Sequence, residues 1–316
     1  MNEDPARDPA PPEPGAAPQP DATQGVVVPP STAAPSRASV ADVFLAFVVA
    51  MFAGLLGIVV VMAALVISRM AQGHPPESIQ EWLTARPAAA LLLTNLPFQL
   101  ACFSVAILWR WHRGKTPVRR HLALTAPGFT GAQWIIVLLA SGVPFAVSLL
   151  AASALPSFSS TAGLTDAWST MGVASAAVWV LYIGLAPGIC EEMLFRGLIF
   201  RRLLRRWGIV GSLAVSSALF AIAHVDPPAM ALAFTLGIWL GYLTWRTGSI
   251  LPSIATHVTV NSLWNLGQIT TRQVALSEAT VWTISGIIFA ASVLCFILAI
   301  RLLSSRRPPA VVATSA

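Results

Sequence analysis

Four ionisable side chains lie deep within long apolar runs of this sequence, where such groups are rare. Glu191 and Glu192 are adjacent in one run, and His224 and His257 each lie in a later run. An ionisable group in an apolar medium is costly unless it is paired or faces water, so these residues are functional candidates. A carboxylate and two imidazoles that meet at one point can activate a water molecule or hold a metal ion. The sequence therefore predicts one polar site shared by three apolar segments.

Glu192 has a candidate partner four residues further along the chain. Arg196 stands at the i, i+4 spacing at which an acidic and a basic side chain on a helix form an ion pair. Adjacent residues on a helix project about 100° apart, so Glu191 and Glu192 cannot point the same way. We therefore expect Glu192 and Arg196 to form a buried structural pair and Glu191 to face the interior of a helix bundle.

Two further pairs of residues show the same spacing. Phe220 and His224 share one helical face, and so do His257 and Asn261. The second pair can reach a common point, where an imidazole and an amide offer hydrogen-bond donors. Asn261 can alternatively hold two helices together, because amides form hydrogen bonds between membrane helices. Phe220 is expected to pack or to line the pocket rather than to take part in the chemistry.

The composition indicates what kind of protein positions these residues. Of the 316 residues, 56% are hydrophobic and only 10% are charged, and the mean hydropathy is +0.73. A soluble domain carries roughly 25% charged residues, so the composition excludes a cytosolic enzyme, a nucleic-acid-binding protein and a disordered protein. The basic residues cluster between apolar runs, which favours lipid headgroups over nucleic acid as their partner. The chain is therefore predicted to be a polytopic membrane protein that contacts the lipid bilayer and no nucleic acid.

Eight apolar runs are candidates for the helices of this membrane protein. A helix needs about 20 apolar residues to cross the ~30 Å hydrocarbon core, and irregular backbone is not tolerated where it faces lipid. The sequence therefore predicts an all-α bundle of about eight transmembrane helices with the site inside it. The predicted helices are 40–68, 88–109, 132–154, 173–200, 209–225, 229–245, 249–266 and 279–302.

The chain divides by composition into four parts. Residues 1–39 hold ten of the 24 prolines and show no apolar periodicity, so they are predicted to be a disordered Pro/Ala-rich cytoplasmic tail. Residues 40–154 supply the N-terminal transmembrane helices. Residues 155–303 supply the helices that carry every candidate site residue, and residues 304–316 are predicted to be a C-terminal cytoplasmic tail.

The basic residues also indicate the orientation in the membrane. With eight spans and a cytoplasmic N-terminus, 15 of the 19 basic residues lie in cytoplasmic segments, and only Arg69, Arg86 and Arg272 lie in outer ones. Arg and Lys are enriched in the cytoplasmic loops of membrane proteins. We therefore expect a multi-pass protein of the cell (plasma) membrane with both termini in the cytoplasm.

The three motifs resemble those of one family of membrane proteases. EEMLFR at 191–196, FAIAH at 220–224 and HVTVN at 257–261 are similar in order and spacing to the EExxxR, FxxxH and HxxxN motifs of the CPBP family, the CAAX-protease and bacteriocin-processing (Abi) proteins. The resemblance covers roughly residues 173–266. It implies an eight-helix intramembrane endopeptidase that cuts a membrane-associated protein or peptide substrate. Eukaryotic relatives cut prenylated CAAX tails, but nothing in this sequence indicates a prenyl-binding groove.

The resemblance also implies roles for the site residues. Glu191 and His224 would activate a water molecule for attack on a peptide carbonyl. His257 and Asn261 would stabilise the oxyanion that forms. The structural or supporting residues would be Glu192, Arg196 and Phe220.

A rival chemistry uses residues of the same types. Glu191, His224 and His257 form a two-histidine, one-carboxylate set that can bind Zn²⁺ and leave a coordination position for water. The family has been called metalloproteases on this ground. The ligand types alone do not separate a zinc route from a metal-free one, so both stay open at this point.

A non-enzymatic alternative is a transporter or an immunity-type protein that uses the same polar cavity. Proton-coupled carriers also bury Glu and His side chains, but they commonly show repeats and broken helices in both halves. Here the buried ionisable residues lie in the C-terminal half only. Other classes of intramembrane protease are disfavoured, because the sequence has no HExxH or GxSG motif and no Asp deep in a predicted span.

Overall fold

The protein is almost entirely helical in the part of the chain that the structure describes. No strand occurs among these residues, and the described helices all belong to one compact unit. This confirms the predicted all-α fold. Apart from Met1 and residues 304–306, the predicted tails lie outside the described residues. The structure is a computed structural model that describes residue 1 and residues 40–109, 117–157, 167–274 and 276–306.

Eight long helices within these residues follow the eight predicted runs. They are α1 (Val40–Ala71), α2 (Pro87–Leu108), α3 (Gly131–Ala140 continued by Gly142–Ser153), α4 (Val173–Glu192), α5 (Arg201–Ile222), α6 (Pro227–Thr247), α7 (Leu251–Gln273) and α8 (Glu278–Ser304). A π-helical segment, Met193–Phe200, joins α4 directly to α5. Two short helices, Ser78–Thr84 and Val118–His121, lie in the connections.

Six helical segments of the described chain are long and apolar enough to cross a membrane. One of them is the continuous run Val173–Ile222, which contains both α4 and α5, and α7 is not among the six. α7 is less apolar because it carries polar residues that are buried, including Ser253, Thr256 and His257. The protein is a multi-pass membrane protein, but the predicted count of eight spans is not confirmed.

The outermost helices present apolar side chains to their surroundings. Phe52 and Leu55 of α1 and Trp282 and Ile287 of α8 are all exposed. Extended apolar surface of this kind marks contact with a membrane rather than with water. The exposed faces of these two helices are therefore expected to contact lipid.

The π-helical segment lies at the centre of the bundle. All eight of its residues, Met193–Phe200, are buried, and five of them belong to an apolar cluster that includes Phe47 of α1 and Cys102 of α2. A π-helix is rare, and it often occurs at functional sites. Since Glu191 and Glu192 are the last two residues of α4, this segment begins where the candidate site begins.

α4 and α7 approach each other closely because small residues line their contact. Gly184 and Gly188 are four residues apart on α4. A Cβ atom on Gly188 would lie 2.6 Å from Val258 Cγ2 and 3.0 Å from the Val258 backbone nitrogen, and one on Gly184 would meet Ser262. Small residues at this spacing let the backbones of two membrane helices come together. This contact brings α7 and its polar residues against the helix that ends in Glu191 and Glu192.

α5 is interrupted near its start by Gly208. The residue has φ 64° and ψ −170°, a conformation that glycine adopts without the steric cost that a Cβ atom adds. The helix therefore breaks into a short, Arg-rich part before Gly208 and a longer part after it. The break lies between the predicted helices 173–200 and 209–225, so the interruption agrees with the boundary expected from the sequence.

Candidate active site

Glu192 is the centre of a buried hydrogen-bonded cluster. Its carboxylate is fully buried, and its Oε1 atom accepts from Arg196 Nη1 at 2.9 Å and lies 3.0 Å from His257 Nδ1. Arg196, only 1% exposed, also donates from Nη2 to the Gly237 carbonyl at 3.1 Å. The cluster therefore ties the π-helical segment to α6 and α7. Because His257 uses Nδ1 for the carboxylate, its Nε2 is the nitrogen available to a substrate.

The Phe220 ring packs against the rings of both histidines. Its ring lies 4.9 Å from the His224 ring and 5.9 Å from the His257 ring, both in edge-to-face arrangements. The Arg196 guanidinium carbon lies 4.3 Å from the centre of the same ring, within the range of a cation–π interaction. Phe220 packs against three of the polar residues and has no polar atom of its own. Its position agrees with the packing or pocket-lining role expected from the sequence.

His224 lies beyond the end of α5, in contrast to the predicted helix 209–225. The helix ends at Ile222, and the His224 backbone nitrogen donates to the Ala221 carbonyl in the turn that follows. The physical reason is Pro227, which begins α6 and disfavours helical geometry at the preceding residue, Asp226. The His224 side chain is partly buried in this turn, and it points back toward the end of α5.

The hydrogen bond of His224 fixes which of its ring nitrogens carries the proton. His224 Nδ1 lies 2.8 Å from the Phe220 carbonyl oxygen. A carbonyl oxygen can only accept, so Nδ1 carries the hydrogen in this contact. In the neutral imidazole, Nε2 then has a free lone pair, as a proton acceptor or a metal ligand requires.

Glu191 points to a different partner from Glu192. Its side chain is 5% exposed, and its Oε1 atom accepts a hydrogen bond from Gln99 Nε2 of α2 at 2.7 Å. Its second oxygen, Oε2, has no hydrogen-bond partner among the described residues. Within those residues, Glu191 forms no hydrogen bond with His224 or His257. The site therefore consists of two carboxylates with separate sets of partners.

Gln99 was not among the site residues predicted from the sequence. The residue is 1% exposed, and its Nε2 atom also lies 3.3 Å from Asn95 Oδ1, one turn earlier on α2. A signal for it was present, because Asn95 and Gln99 are two amides at i, i+4 spacing in an otherwise apolar run. Such a pair marks a polar face of a membrane helix.

Asn261 contacts α4 about two helical turns before Glu191. Its Nδ2 atom donates to the Ile183 carbonyl at 3.2 Å. In a regular helix that carbonyl would accept from residue 187, but residue 187 is proline and has no N–H group. Asn261 therefore supplies the hydrogen bond that the Ile183 carbonyl lacks within α4. One of the two N–H groups of its amide has a structural role in this way.

Asn261→Ala is expected to lower stability by about 1 kcal/mol, because the partly buried Ile183 carbonyl loses its donor. In a Pro187→Ala background, residue 187 regains an N–H group that can donate to Ile183, so the same substitution should cost close to nothing. The stabilities of the wild type, the two single variants and the double variant can be measured by thermal unfolding in detergent. If Asn261→Ala lowered stability equally in both backgrounds, Asn261 would not be compensating for the N–H group that Pro187 lacks.

The predicted zinc ligands are not brought together as a metal site. Within the described part of the chain, no three His, Cys, Asp or Glu side chains form a group that could hold a metal ion. Glu191 uses Oε1 for Gln99, and His257 uses Nδ1 for Glu192. The described residues therefore contain no preformed zinc site, and the chemistry proposed below uses the chain's own groups.

Comparison with known proteins identifies the motif-bearing region. Residues 173–263 match the family model described as type II CAAX prenyl endopeptidase Rce1-like. The match covers less than a third of the chain, and it includes all three motifs. It confirms the resemblance found in the sequence. No curated protein and no solved structure matches the chain.

Proposed function

Because residues 173–263 have the sequence pattern of type II CAAX prenyl endopeptidases, we propose that this protein is an intramembrane endopeptidase. Its substrate is a membrane-associated protein or peptide, and the reaction is hydrolysis of a peptide bond. The observation that carries the proposal is the buried carboxylate of Glu191, which has one oxygen held by Gln99 and the other without a partner among the described residues. A buried base of this kind is what the activation of a water molecule requires.

Glu191 and His224 activate the attacking water in this mechanism. Glu191 Oε2 accepts a proton from the water, and the water oxygen attacks the carbonyl carbon of the peptide. His224 offers a second acceptor through Nε2, since its Nδ1 atom is engaged with the Phe220 carbonyl. When the C–N bond breaks, the transferred proton passes to the leaving amine.

His257 and Asn261 stabilise the oxyanion that forms on the carbonyl oxygen. The Nδ1 atom of His257 contacts the Glu192 carboxylate, so Nε2 is the ring nitrogen that would face the oxyanion. Asn261 has a second N–H group besides the one that donates to Ile183. Each such donor contributes about 3–4 kcal/mol to the transition state.

Location and orientation are part of the proposal. The protein is placed in the plasma membrane with both termini in the cytoplasm, because that orientation gives the 15 to 3 distribution of basic residues. Membrane-anchored peptides are the substrate class that such a site can reach.

The proposed reaction can be tested in liposomes. The purified protein is reconstituted with a set of membrane-anchored reporter peptides in water enriched in ¹⁸O, and the products are analysed by mass spectrometry. Hydrolysis should give a shortened peptide with ¹⁸O in its new carboxyl terminus. Intact peptides throughout the set, or intact peptides moved across the membrane, would contradict an endopeptidase and support a carrier or immunity-type protein.

A further inference from the structure

A chain of buried and partly buried polar side chains links α2 to α4 at two points. Gln99 Nε2 lies 2.7 Å from Glu191 Oε1 and 3.3 Å from Asn95 Oδ1. The Asn95 Oδ1 atom also accepts from the Tyr182 hydroxyl at 3.1 Å. Since Tyr182 and Glu191 both belong to α4, the two amides of α2 are held between two residues of the same neighbouring helix.

We propose that Gln99 is a positioning residue that holds Glu191 in the orientation needed to activate water. The inference rests on the proposed function and adds to it a residue that lies outside the matched region 173–263. The catalytic carboxylate would then depend on α2, a helix without any of the three motifs. α2 therefore contributes directly to the site.

The geometry supports an orienting contact with one oxygen of the carboxylate. A carboxylate has two oxygens, and Gln99 takes Oε1, so Oε2 remains for a water molecule. A single fixed hydrogen bond also stops the carboxylate from rotating about its terminal torsion, which is otherwise soft. The base is thus presented in one orientation before the substrate arrives.

The chemistry of an amide suits this task better than that of a charged side chain. A Lys or Arg at position 99 would form an ion pair with Glu191 and weaken it as a base. A neutral N–H donor orients the carboxylate and leaves its charge available. The amide cannot be turned around without placing its Oε1 atom against the carboxylate, so Asn95 and Glu191 together fix which end of Gln99 donates.

A purely structural role for Gln99 is the competing explanation. Hydrogen bonds between membrane helices contribute about 0.6 kcal/mol on average, so Gln99 could simply hold α2 against α4. A structural role predicts a change in stability and no specific change at Glu191. A positioning role predicts a lower kcat with an unchanged KM, and a change in the carboxyl group of Glu191 itself.

The test compares Gln99→Met, which has a similar length and no donor, with Thr94→Val on the same helix. Thr94 donates only to the carbonyls of Ala90 and Leu91, so its loss should leave cleavage unchanged. Gln99→Met should lower kcat roughly tenfold to hundredfold, because small displacements of a catalytic group have effects of that size. KM should stay within about twofold, since no ground-state contact with the substrate is removed.

A spectroscopic measurement reports on the contact without relying on turnover. The infrared band of the Glu191 carboxyl group, identified by its loss in Glu191→Gln, should move in Gln99→Met and stay in place in Thr94→Val. Tyr182→Phe is a milder second variant that removes only the hydroxyl bound to Asn95. It should give a smaller fall in kcat, and it keeps the test valid if Gln99→Met does not fold.

The outcomes separate this inference from the proposed function. If Glu191→Gln abolishes cleavage but Gln99→Met and Tyr182→Phe keep the wild-type kcat and an unmoved band, the positioning role is overturned and the protease assignment stands. If the band moves in Gln99→Met but the wild-type protein cleaves nothing, the contact with Glu191 is supported and the protease assignment is overturned. A lower kcat together with a moved band supports both.

Discussion

Replacing Glu191 with glutamine is expected to lower kcat/KM for peptide hydrolysis by at least about 100-fold, the usual contribution of a general base. The substitution keeps the size of the side chain and an oxygen that can accept from Gln99, so the bundle should remain folded. Only the proton acceptor of the proposed mechanism is lost. Cleavage of a membrane-anchored peptide and the melting temperature of the purified protein provide the two measurements.

Glu278→Gln is the matched control for this substitution. Glu278 is an exposed carboxylate in the first turn of α8, so its loss should leave cleavage close to the wild-type rate. Undiminished cleavage by Glu191→Gln would remove the catalytic base from the proposal, and with it the assignment of the site.

Arg196→Ala should destabilise the protein by about 3–5 kcal/mol, because it leaves a buried carboxylate without its main partner. The substitution removes the 2.9 Å contact with Glu192, the hydrogen bond to the Gly237 carbonyl and the cation–π contact with Phe220. His257 alone would then face the Glu192 charge. Folded yield and melting temperature in detergent should both fall sharply.

A double change separates the charge from the other effects of Arg196. Glu192→Gln combined with Arg196→Gln removes both charges and should recover yield more than activity, since His257 still loses its carboxylate partner. Arg301→Ala is the control, because Arg301 is exposed in the last turn of α8. It should change stability by no more than about 0.5 kcal/mol. An Arg196→Ala protein as abundant and heat-resistant as the wild type would show that the pair is not structural.

Patterns along single helices predicted the positions of the long helices and two of the contacts in the site. The apolar runs gave the positions of the long helices, because the length of a membrane helix is set by the thickness of the bilayer. The i, i+4 spacing of Glu192 and Arg196 gave a pair that the structure places 2.9 Å apart. The same spacing put Phe220 next to His224, and their rings lie 4.9 Å apart. These relations depend only on residues of one segment.

Contacts between different helices could not be predicted from the spacing of residues along one helix. Gln99 lies 92 positions from Glu191, and no periodicity within one helix connects them. The contact of His257 with Glu192, and that of Asn261 with Ile183, likewise depend on how α7 lies against α4. The π-helical segment is also a product of packing, because its residues are equally suited to an α-helix. Tertiary contacts decide each of these features.

The close contact of α4 and α7 has a consequence for how a substrate enters the site. A Cβ atom on Gly188 would already collide with Val258, so an extended peptide has no room to pass between these two helices. This lateral route from the lipid to Glu191 is closed by backbone packing, which side-chain rotation cannot open. Under the proposed function, a bilayer-anchored substrate would therefore have to approach the carboxylates between other helices of the bundle.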